Sequence, residues 1–280
     1  MSRLTEIFDH KRREVAERKA AVPLIAVIRD AAAAPPPLDF SAGLRAQAAC
    51  PGTARSPALI AEIKAKSPSR GRLAGRNGRA LQPVHLARIY AQNGAAAISV
   101  LTDAEYFGGS LDRLRILRAA LPAMPLLCKD FIYDQYQVYE ARAAGADAVL
   151  LILAGLDLTA LADLAGLADS LGMEALVEVH TAEELDAALA SGLLLIGINN
   201  RNLHDFSVRL ETTLELAPKV PDCITLVSES GIFTAADVAR LTVGRGVDAI
   251  LVGEALVTAG DTAAAVRELS GREMAGCHDR

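Results

Sequence analysis

The chain contains no tryptophan, and aromatic residues make up only 4% of it. Its net charge of −5 supplies no general attraction to a polyanion. With so few rings for base stacking, no nucleic-acid partner is expected. Four cysteines, Cys50, Cys128, Cys223 and Cys277, fall in no CxxC or other metal-ligating spacing, so no metal site is expected. Cys128 and Cys223 lie in or beside apolar segments and are expected to be buried, reduced thiols. No apolar stretch approaches the ~20 residues a helix needs to cross a bilayer, so no membrane partner is expected. Met1–Lys19 carries mixed charge without an apolar core or cleavage site, so no signal peptide is read there. A cytoplasmic enzyme is the expectation.

What the chain does have is apolar residues, 51% of its 280, enough for one large core. They fall into eight short segments: Ala58–Lys64, Ala96–Thr102, Pro125–Asp130, Ala148–Leu153, Glu174–Val179, Leu194–Asn199, Ile224–Ser230 and Ala249–Val252. Continuous apolar runs of this length read as strands covered on both faces, as in a parallel sheet under helices. Helical segments follow them: Val84–Asn93, Ser110–Ala120, Tyr133–Ala144, Asp157–Leu171, Thr181–Ser191, Arg209–Leu216, Thr234–Val243 and one from about Asp261. Asp134, Thr181 with Glu184, and Thr234 with Asp237 are placed to cap them. The alternation predicts an α/β fold, a (βα)8 TIM barrel.

Residues 1–57 precede the repeat and read as an N-terminal helical extension with an irregular lead-in, leaving 58–280 to the barrel. Leu4, Ile7, Phe8, Lys11, Val15 and Lys19 are spaced as one amphipathic helix. Pro23–Ile28 allows a second, short helix. Asp30–Pro57, with the Ala/Pro run Ala31–Pro37, is expected to be irregular and mobile in that run. After the first strand, Ser67-Pro-Ser-Arg-Gly-Arg and the glycines and arginines up to Pro83 read as a long, basic, flexible loop suited to act as a lid.

The polar residues collect at one end of the predicted strands. Glu62, Lys64, Lys129, Glu178, Asn199, Glu229 and Ser230 all fall at or close to C-terminal ends, which in this fold form the catalytic mouth. Two lysines and two glutamates (Glu62, Lys64, Lys129, Glu178) exceed what a structural plug needs. Crowding in a dry site shifts their pKa values toward acid–base use. Ser228-Glu-Ser-Gly-Ile and Val252-Gly-Glu-Ala, after the last two strands, bring glycine backbones where barrels commonly bind phosphate. With Ser67 and the basic loop they favour a phosphorylated small-molecule substrate. Phe107 and Phe131 stand at the catalytic ends of strands two and three, where rim packing and an aryl pocket are both open. His180 reads as a helix-capping residue, and Asp103 and Glu105 as solvated.

Ile60-Ala-Glu-Ile-Lys-Ala-Lys-Ser-Pro-Ser-Arg-Gly, Ala97-Ile-Ser-Val-Leu-Thr-Asp with Tyr106-Phe-Gly-Gly-Ser, Cys128-Lys-Asp-Phe, Val177-Glu-Val-His, Ile198-Asn-Asn-Arg-Asn-Leu and Ser228-Glu-Ser-Gly-Ile together resemble indole-3-glycerol phosphate synthase. The resemblance runs from the N-terminal helix to about Leu256. It implies ring closure of 1-(2-carboxyphenylamino)-1-deoxyribulose 5-phosphate with loss of CO2 and water, by a carboxy-lyase needing no cofactor. It also implies a role for each residue. Lys129 would be the acid at the substrate carbonyl and Glu178 the carboxylate of proton transfer in dehydration. Lys64 would contact the substrate carboxylate, with Glu62 as its pair. Asn199, Glu229 and Ser230 would be further polar site residues, supported by Arg201. Ser67, Gly231, Gly253 and the Glu254 backbone would hold phosphate. Pro68, Phe107 and Phe131 would hold the aryl ring. The chain departs from the family pattern at Ala74–Pro83, which lacks the usual acidic, aromatic stretch. A monomer is expected.

Two other readings compete. A phosphoribosylanthranilate isomerase would place a cysteine and an aspartate where this chain has Glu62/Lys64 and Asn199. A non-catalytic sensor of a phosphorylated metabolite would keep the glycine loops but have little use for both Lys129 and Glu178.

Overall fold

A computed structural model describes residues 3–48, 56–67, 71–72, 82–202 and 207–272. Eight parallel strands close into a barrel in chain order. They are β1 (Ala58–Ile63), β2 (Ala95–Leu101), β3 (Leu126–Lys129), β4 (Ala148–Ile152), β5 (Glu174–Val179), β6 (Leu195–Asn199), β7 (Thr225–Glu229) and β8 (Ala249–Val252). β1 pairs with β2 on one side and closes on β8 on the other, with Ala61 opposite Val252.

Alternation along each strand sorts its residues between two layers. Leu59, Ala61 and Ile63 of β1 face outward and pack with the helices. Ala58 and Ile60 face inward, with Ala97, Leu127, Leu150, Leu176, Val227 and Leu251 from other strands. Glu62 continues the inward set and is therefore delivered to the barrel mouth.

The outer layer is built by α4 (Pro83–Asn93), α5 (Leu111–Ala120), α6 (Gln135–Ala143), α7 (Leu158–Ser170), α8 (Ala182–Ala190), α9 (Glu211–Leu216), α10 (Ala235–Leu241) and α12 (Thr262–Leu269). A short helix not expected from the sequence, α11 (Glu254–Thr258), directly follows β8. The expected caps are present, with a complete capping box at Thr234 and Asp237. None of the helices among the described residues is long and apolar enough to span a membrane.

The N-terminal segment binds the barrel at both ends. α1 (Arg3–Ala21) lies along the mouth, where Phe8 meets Phe131 edge to face at 5.8 Å. α2 (Leu24–Ala33) packs beside α6, and the Tyr136 hydroxyl donates to the carbonyls of Arg18 and Val22. α3 (Phe40–Ala48) closes the opposite end: Phe40 and Leu44, one helical turn apart, are fully buried against Ala58, Ala97, Leu195 and Ala249. The Ser41 N–H and hydroxyl both donate to Glu174 at the start of β5.

The expected irregular segment Asp30–Pro57 is thus corrected, because it contains the end of α2 and all of α3. The prolines at 35–37 separate the two helices, since proline removes a donor and clashes with a continuing turn. The Ala/Pro run is also held in place: Ala31 is buried, and Arg142 donates to the carbonyls of Ala34 and Pro35.

Two further expectations are overturned. Asp103 is not solvated but fully buried, with its Oδ2 2.7 Å from the ammonium of Lys11. Lys11, itself fully buried, also lies 2.9 Å from Asp130. A salt bridge from α1 was available to Asp103, and no local pattern reveals it. Cys223 is exposed, because β7 begins two residues later than a strand that would have buried it. Cys128 is buried, and burial pushes its thiol up to about 12.

Candidate active site

The C-terminal ends of the strands surround one pocket. Glu62, Lys64, Phe107, Lys129, Phe131, Glu178, Asn199, Arg201, Glu229, Ser230, Gly231, Gly253 and Glu254, all given a role by the sequence, line it. Ser67 pairs with Gly71 in a two-stranded ribbon, Lys66–Ser67 against Gly71–Arg72, in the loop after β1. Pro68 and most of the expected lid lie outside the described residues. Lys66 at the base of that loop donates to the Glu105 carbonyl at 2.7 Å.

Lys129 is the centre of the charged group. Its ammonium lies 2.6 Å from Glu229 Oε2 and 3.1 Å from Glu178 Oε2. A second pair, Lys64 with Glu62 Oε1 at 2.6 Å, stands beside it. The carboxylates of Glu62, Glu178 and Glu229 are all nearly inaccessible to solvent, so the two lysines are their main compensation. Burial opposes the charge on Lys129, but Glu229, Glu178 and Glu62 outweigh it and hold the ammonium above the usual lysine range.

The two glutamates that share Lys129 are driven in opposite directions. Burial would raise Glu178, but Lys129, His180 and a hydrogen bond from Asn199 overcome it and hold the carboxyl well below the usual range. Glu229 has less help. Burial pushes it up to about 7 against the pull of Lys129, with Glu178 and Glu62 adding like-charge repulsion. Its Oε1 has no hydrogen-bond partner among the described residues. The result is one firmly ionised carboxylate and one poised near neutrality around a single ammonium, an arrangement suited to moving protons.

The pocket's other walls are chemically distinct. Phe107 and Phe131 lie 6.1 Å apart at a tilt, with Leu4 and Ile7 of α1 adding apolar surface. Phe107 is positioned by its own loop: Asp103, pinned by Lys11, accepts the N–H groups of Tyr106 and Phe107. Across the mouth, Gly231, Gly253 and Glu254 follow the adjacent strands β7 and β8. Ser230 and Gly231 both have left-handed backbones, φ 67° and 77°. For Ser230 that conformation costs on the order of 1 kcal/mol, so its surroundings must enforce it.

The enforcing group is Asn200, which the sequence reading passed over in favour of its neighbour. Its amide nitrogen donates to the Ser230 carbonyl and the Ser228 hydroxyl, both at 3.0 Å. Its oxygen accepts from the backbone and hydroxyl of Thr213. Asn200 is almost fully buried and faces away from the pocket, while Asn199 faces into it. Strand alternation within Asn-Asn was the signal that could have separated the two. His180 was also underestimated. Rather than capping a helix, its ring lies between Glu178 and Glu184. Among the described residues, no group of three or more His, Cys, Asp or Glu side chains is placed to hold a metal ion.

The closed barrel of eight parallel strands places this chain in the (βα)8-barrel class, with ionisable groups gathered at its C-terminal mouth. Among solved structures, 3-hexulose-6-phosphate synthase shares the fold with a TM-score of 0.61, 17% identity, and coverage of 77% of this chain and 99% of that one. The 3-keto-L-gulonate-6-phosphate decarboxylase of Vibrio cholerae superposes with a TM-score of 0.56 at 19% identity, covering 78% and 98% of the two chains.

Sequence relatives narrow the class to one family. The family model described as indole-3-glycerol phosphate synthase matches residues 4–269. The indole-3-glycerol phosphate synthase of Roseiflexus castenholzii is 54% identical over 276 residues, covering 96% of this chain and 98% of its own. That of Mycobacteroides abscessus is 47% identical, covering 95% and 93%. The chain belongs to the indole-3-glycerol phosphate synthase family, the decarboxylating lyases of tryptophan biosynthesis.

Proposed function

We propose that the pocket closes the indole ring of 1-(2-carboxyphenylamino)-1-deoxyribulose 5-phosphate, and that each wall takes one part of this substrate. The aryl ring lies against Phe107 and Phe131. The phosphate meets the backbone of Gly231, Gly253 and Glu254, joined by Ser67 from the loop after β1, while Pro68 of the same loop joins the aryl wall. Lys64, steadied by Glu62, faces the substrate carboxylate. Lys129 stands at the carbonyl that the aromatic carbon attacks.

As the new carbon–carbon bond forms, the carbonyl π electrons move onto oxygen, and the Lys129 ammonium delivers a proton to it. A positioned acid in a water-poor site is most effective there, because the charge it meets develops in the transition state. Breaking the bond to the carboxylate then releases CO2, and its electron pair restores the ring. Loss of the hydroxyl as water requires one proton delivered to it and one removed from the substrate. Glu178, firmly ionised, is the base for the second. Asn199, Glu229, Ser230 and Arg201 complete the polar lining. We assign the reaction to a monomer in the cytoplasm that uses no cofactor.

The observation that carries this reading is the contact of Lys129 with both Glu178 and Glu229 beside an aromatic wall. It couples an acid to two carboxylates of different proton affinity. The test is turnover of the carboxyphenylamino substrate, followed by the fluorescence of the indole product. Product formation that is lost in Glu178→Gln supports the reading, whereas isomerisation of phosphoribosylanthranilate or binding without turnover defeats it.

A further inference from the structure

None of the steps above uses His180, yet it faces the oxygen of Glu178 that Lys129 does not. Lys129 lies against Glu178 Oε2, and His180 Nε2 lies 3.2 Å from Oε1. The other ring nitrogen, Nδ1, is 3.3 Å from Glu184 Oε2. That same oxygen accepts the backbone N–H of His180 at 2.7 Å. Three residues after a threonine cap, a glutamate ordinarily reaches back to the cap itself. Here Glu184 reaches one residue further, to His180. Nδ1 is thereby held by Glu184 while Nε2 faces Glu178 at ion-pair distance, with the side chain 10% exposed.

We propose that His180 is a positioning residue for Glu178: an imidazolium clamped by Glu184 that fixes the carboxylate's orientation and gives it a second cationic neighbour. The proposal rests on the reading of Glu178 as the proton-transfer carboxylate. Local charge supports it. Glu178 shares Lys129 with Glu229, and the ring itself lies between the carboxylates of Glu178 and Glu184. A neutral ring at 180 would leave the buried Glu178 with only a shared cation.

Other charged groups around the ring are engaged elsewhere. On its far side, Arg12, Asp157, Arg209 and Glu215 line a second cavity. Arg12 pairs with Asp9 and Arg209 with Glu215, while Asp157 caps α7. Glu178 and Glu184 therefore dominate the ring's environment. Burial works to neutralise it, but these two carboxylates prevail and hold it at about 9, against an ordinary 6.5. Below that pH the ring is charged. Above it the proton leaves, and Glu178 keeps Lys129 as its one cationic neighbour.

The experiment combines pH profiles of kcat with NMR titration of the His180 ring. In the wild type the ring should titrate at about 9, and kcat should fall as pH rises through that value. Glu184→Gln keeps an oxygen for the His180 backbone N–H but removes a charge, so the ring titration and the alkaline limb should both move to lower pH. His180→Gln should abolish that limb and lower kcat on the order of 10-fold at neutral pH with KM little changed, short of the loss expected for a proton-transfer group itself.

A ring that titrates at its ordinary value overturns the proposal, as does an unchanged profile in both variants or an effect confined to KM. Should His180→Gln fail to fold, Glu184→Gln decides alone. Glu178→Gln separates the two levels. Full activity in that variant removes the assignment of Glu178 itself, whereas an inactive Glu178→Gln beside an unaffected His180→Gln removes only the role of His180.

Discussion

The space that a side chain at Gly253 would need is filled by the carboxylate of Glu62. A β-carbon placed on Gly253 runs into Glu62 Oε1 and comes within 3.1 Å of its Cβ and Cδ. Gly197 stands in the same relation to Glu229, whose Oε1 occupies the place of its β-carbon. In each case the glycine belongs to the neighbouring chain segment: Gly253 follows β8, which pairs with β1, and Gly197 lies on β6, which pairs with β7. Absence of a side chain on one strand makes room for an inward carboxylate on the next.

Gly253→Ala should therefore act through Glu62. Displacing that carboxylate unseats Lys64, its partner at 2.6 Å, while the Gly253 amide remains available to an anion. We expect kcat to fall by about tenfold or more with a folded barrel, as befits a disturbed acid–base pair. The affinity for inorganic phosphate, measured by competition, should hardly change. Weakened phosphate affinity with normal kcat at saturation would show that the glycine serves the anion instead.

Lys129→Met should fold and lose most ring closure. Removing a positioned acid typically costs ~10²–10⁴-fold in rate. The variant also leaves Glu178 and Glu229 without the ammonium they share, so some loss of stability is expected alongside. Circular dichroism establishes that the barrel is folded before rates are compared. A rate close to that of the wild type in a folded variant removes Lys129 from the mechanism.

The barrel was legible because its strands are continuous apolar runs, each ended by a polar residue, and because cap residues mark the helix starts. The observed β5 and β8 coincide with their expected spans, and the others differ by a residue or so at their ends. The site was legible for the same reason: in this fold a polar residue at the end of an apolar run lies at the mouth. What escaped were partnerships that local pattern does not encode. Phe40 and Leu44 mark α3 by two large apolar residues one turn apart, within a segment rich in alanine and proline. Asp103 looks solvated until Lys11 arrives from a distant helix. The space at Gly253 is explained by Glu62 on another strand. Asn200 and His180 each lie beside a residue with a more obvious role.

Lys11→Met tests the distant pairing. Lys11 meets Asp103 at 2.7 Å and Asp130 at 2.9 Å, where all three side chains are almost completely buried. Removing one partner of a buried ion pair typically costs about 3–5 kcal/mol, because the remaining charge is left uncompensated. The damage should reach the pocket, since Asp103 holds the amides of Tyr106 and Phe107 and Asp130 follows Lys129 in the chain. Urea unfolding should show the loss, and KM should rise through the disturbed aryl wall. A stability within about 0.5 kcal/mol of the wild type, the usual range for a surface change, would mean that this cluster is not a structural link.

Glu229 sets activity against stability. Its carboxyl is raised from 4.5 to about 7, so the folded chain holds this proton where the unfolded chain has already released it. The sign follows from linkage: between those two values the native state binds more protons, and stability declines as pH rises through the interval. At pH 8 the ionised, buried Glu229 is therefore a net burden on the fold, and at pH 4 it is not. Glu229→Gln removes the titration while preserving shape and an acceptor for Lys129. Its melting temperature should exceed that of the wild type at pH 8, and the advantage should shrink as pH falls below the folded value. Activity should go the other way, with kcat reduced and its acid limb near pH 7 abolished. Such opposition is common where a site keeps strained or poorly compensated groups for chemistry. Thermal melts at pH 5 and pH 8, beside pH–rate profiles, decide the matter. Equal melting differences at both pH values would show that Glu229 does not carry its raised proton affinity in the folded state, and that the acid limb belongs to another group.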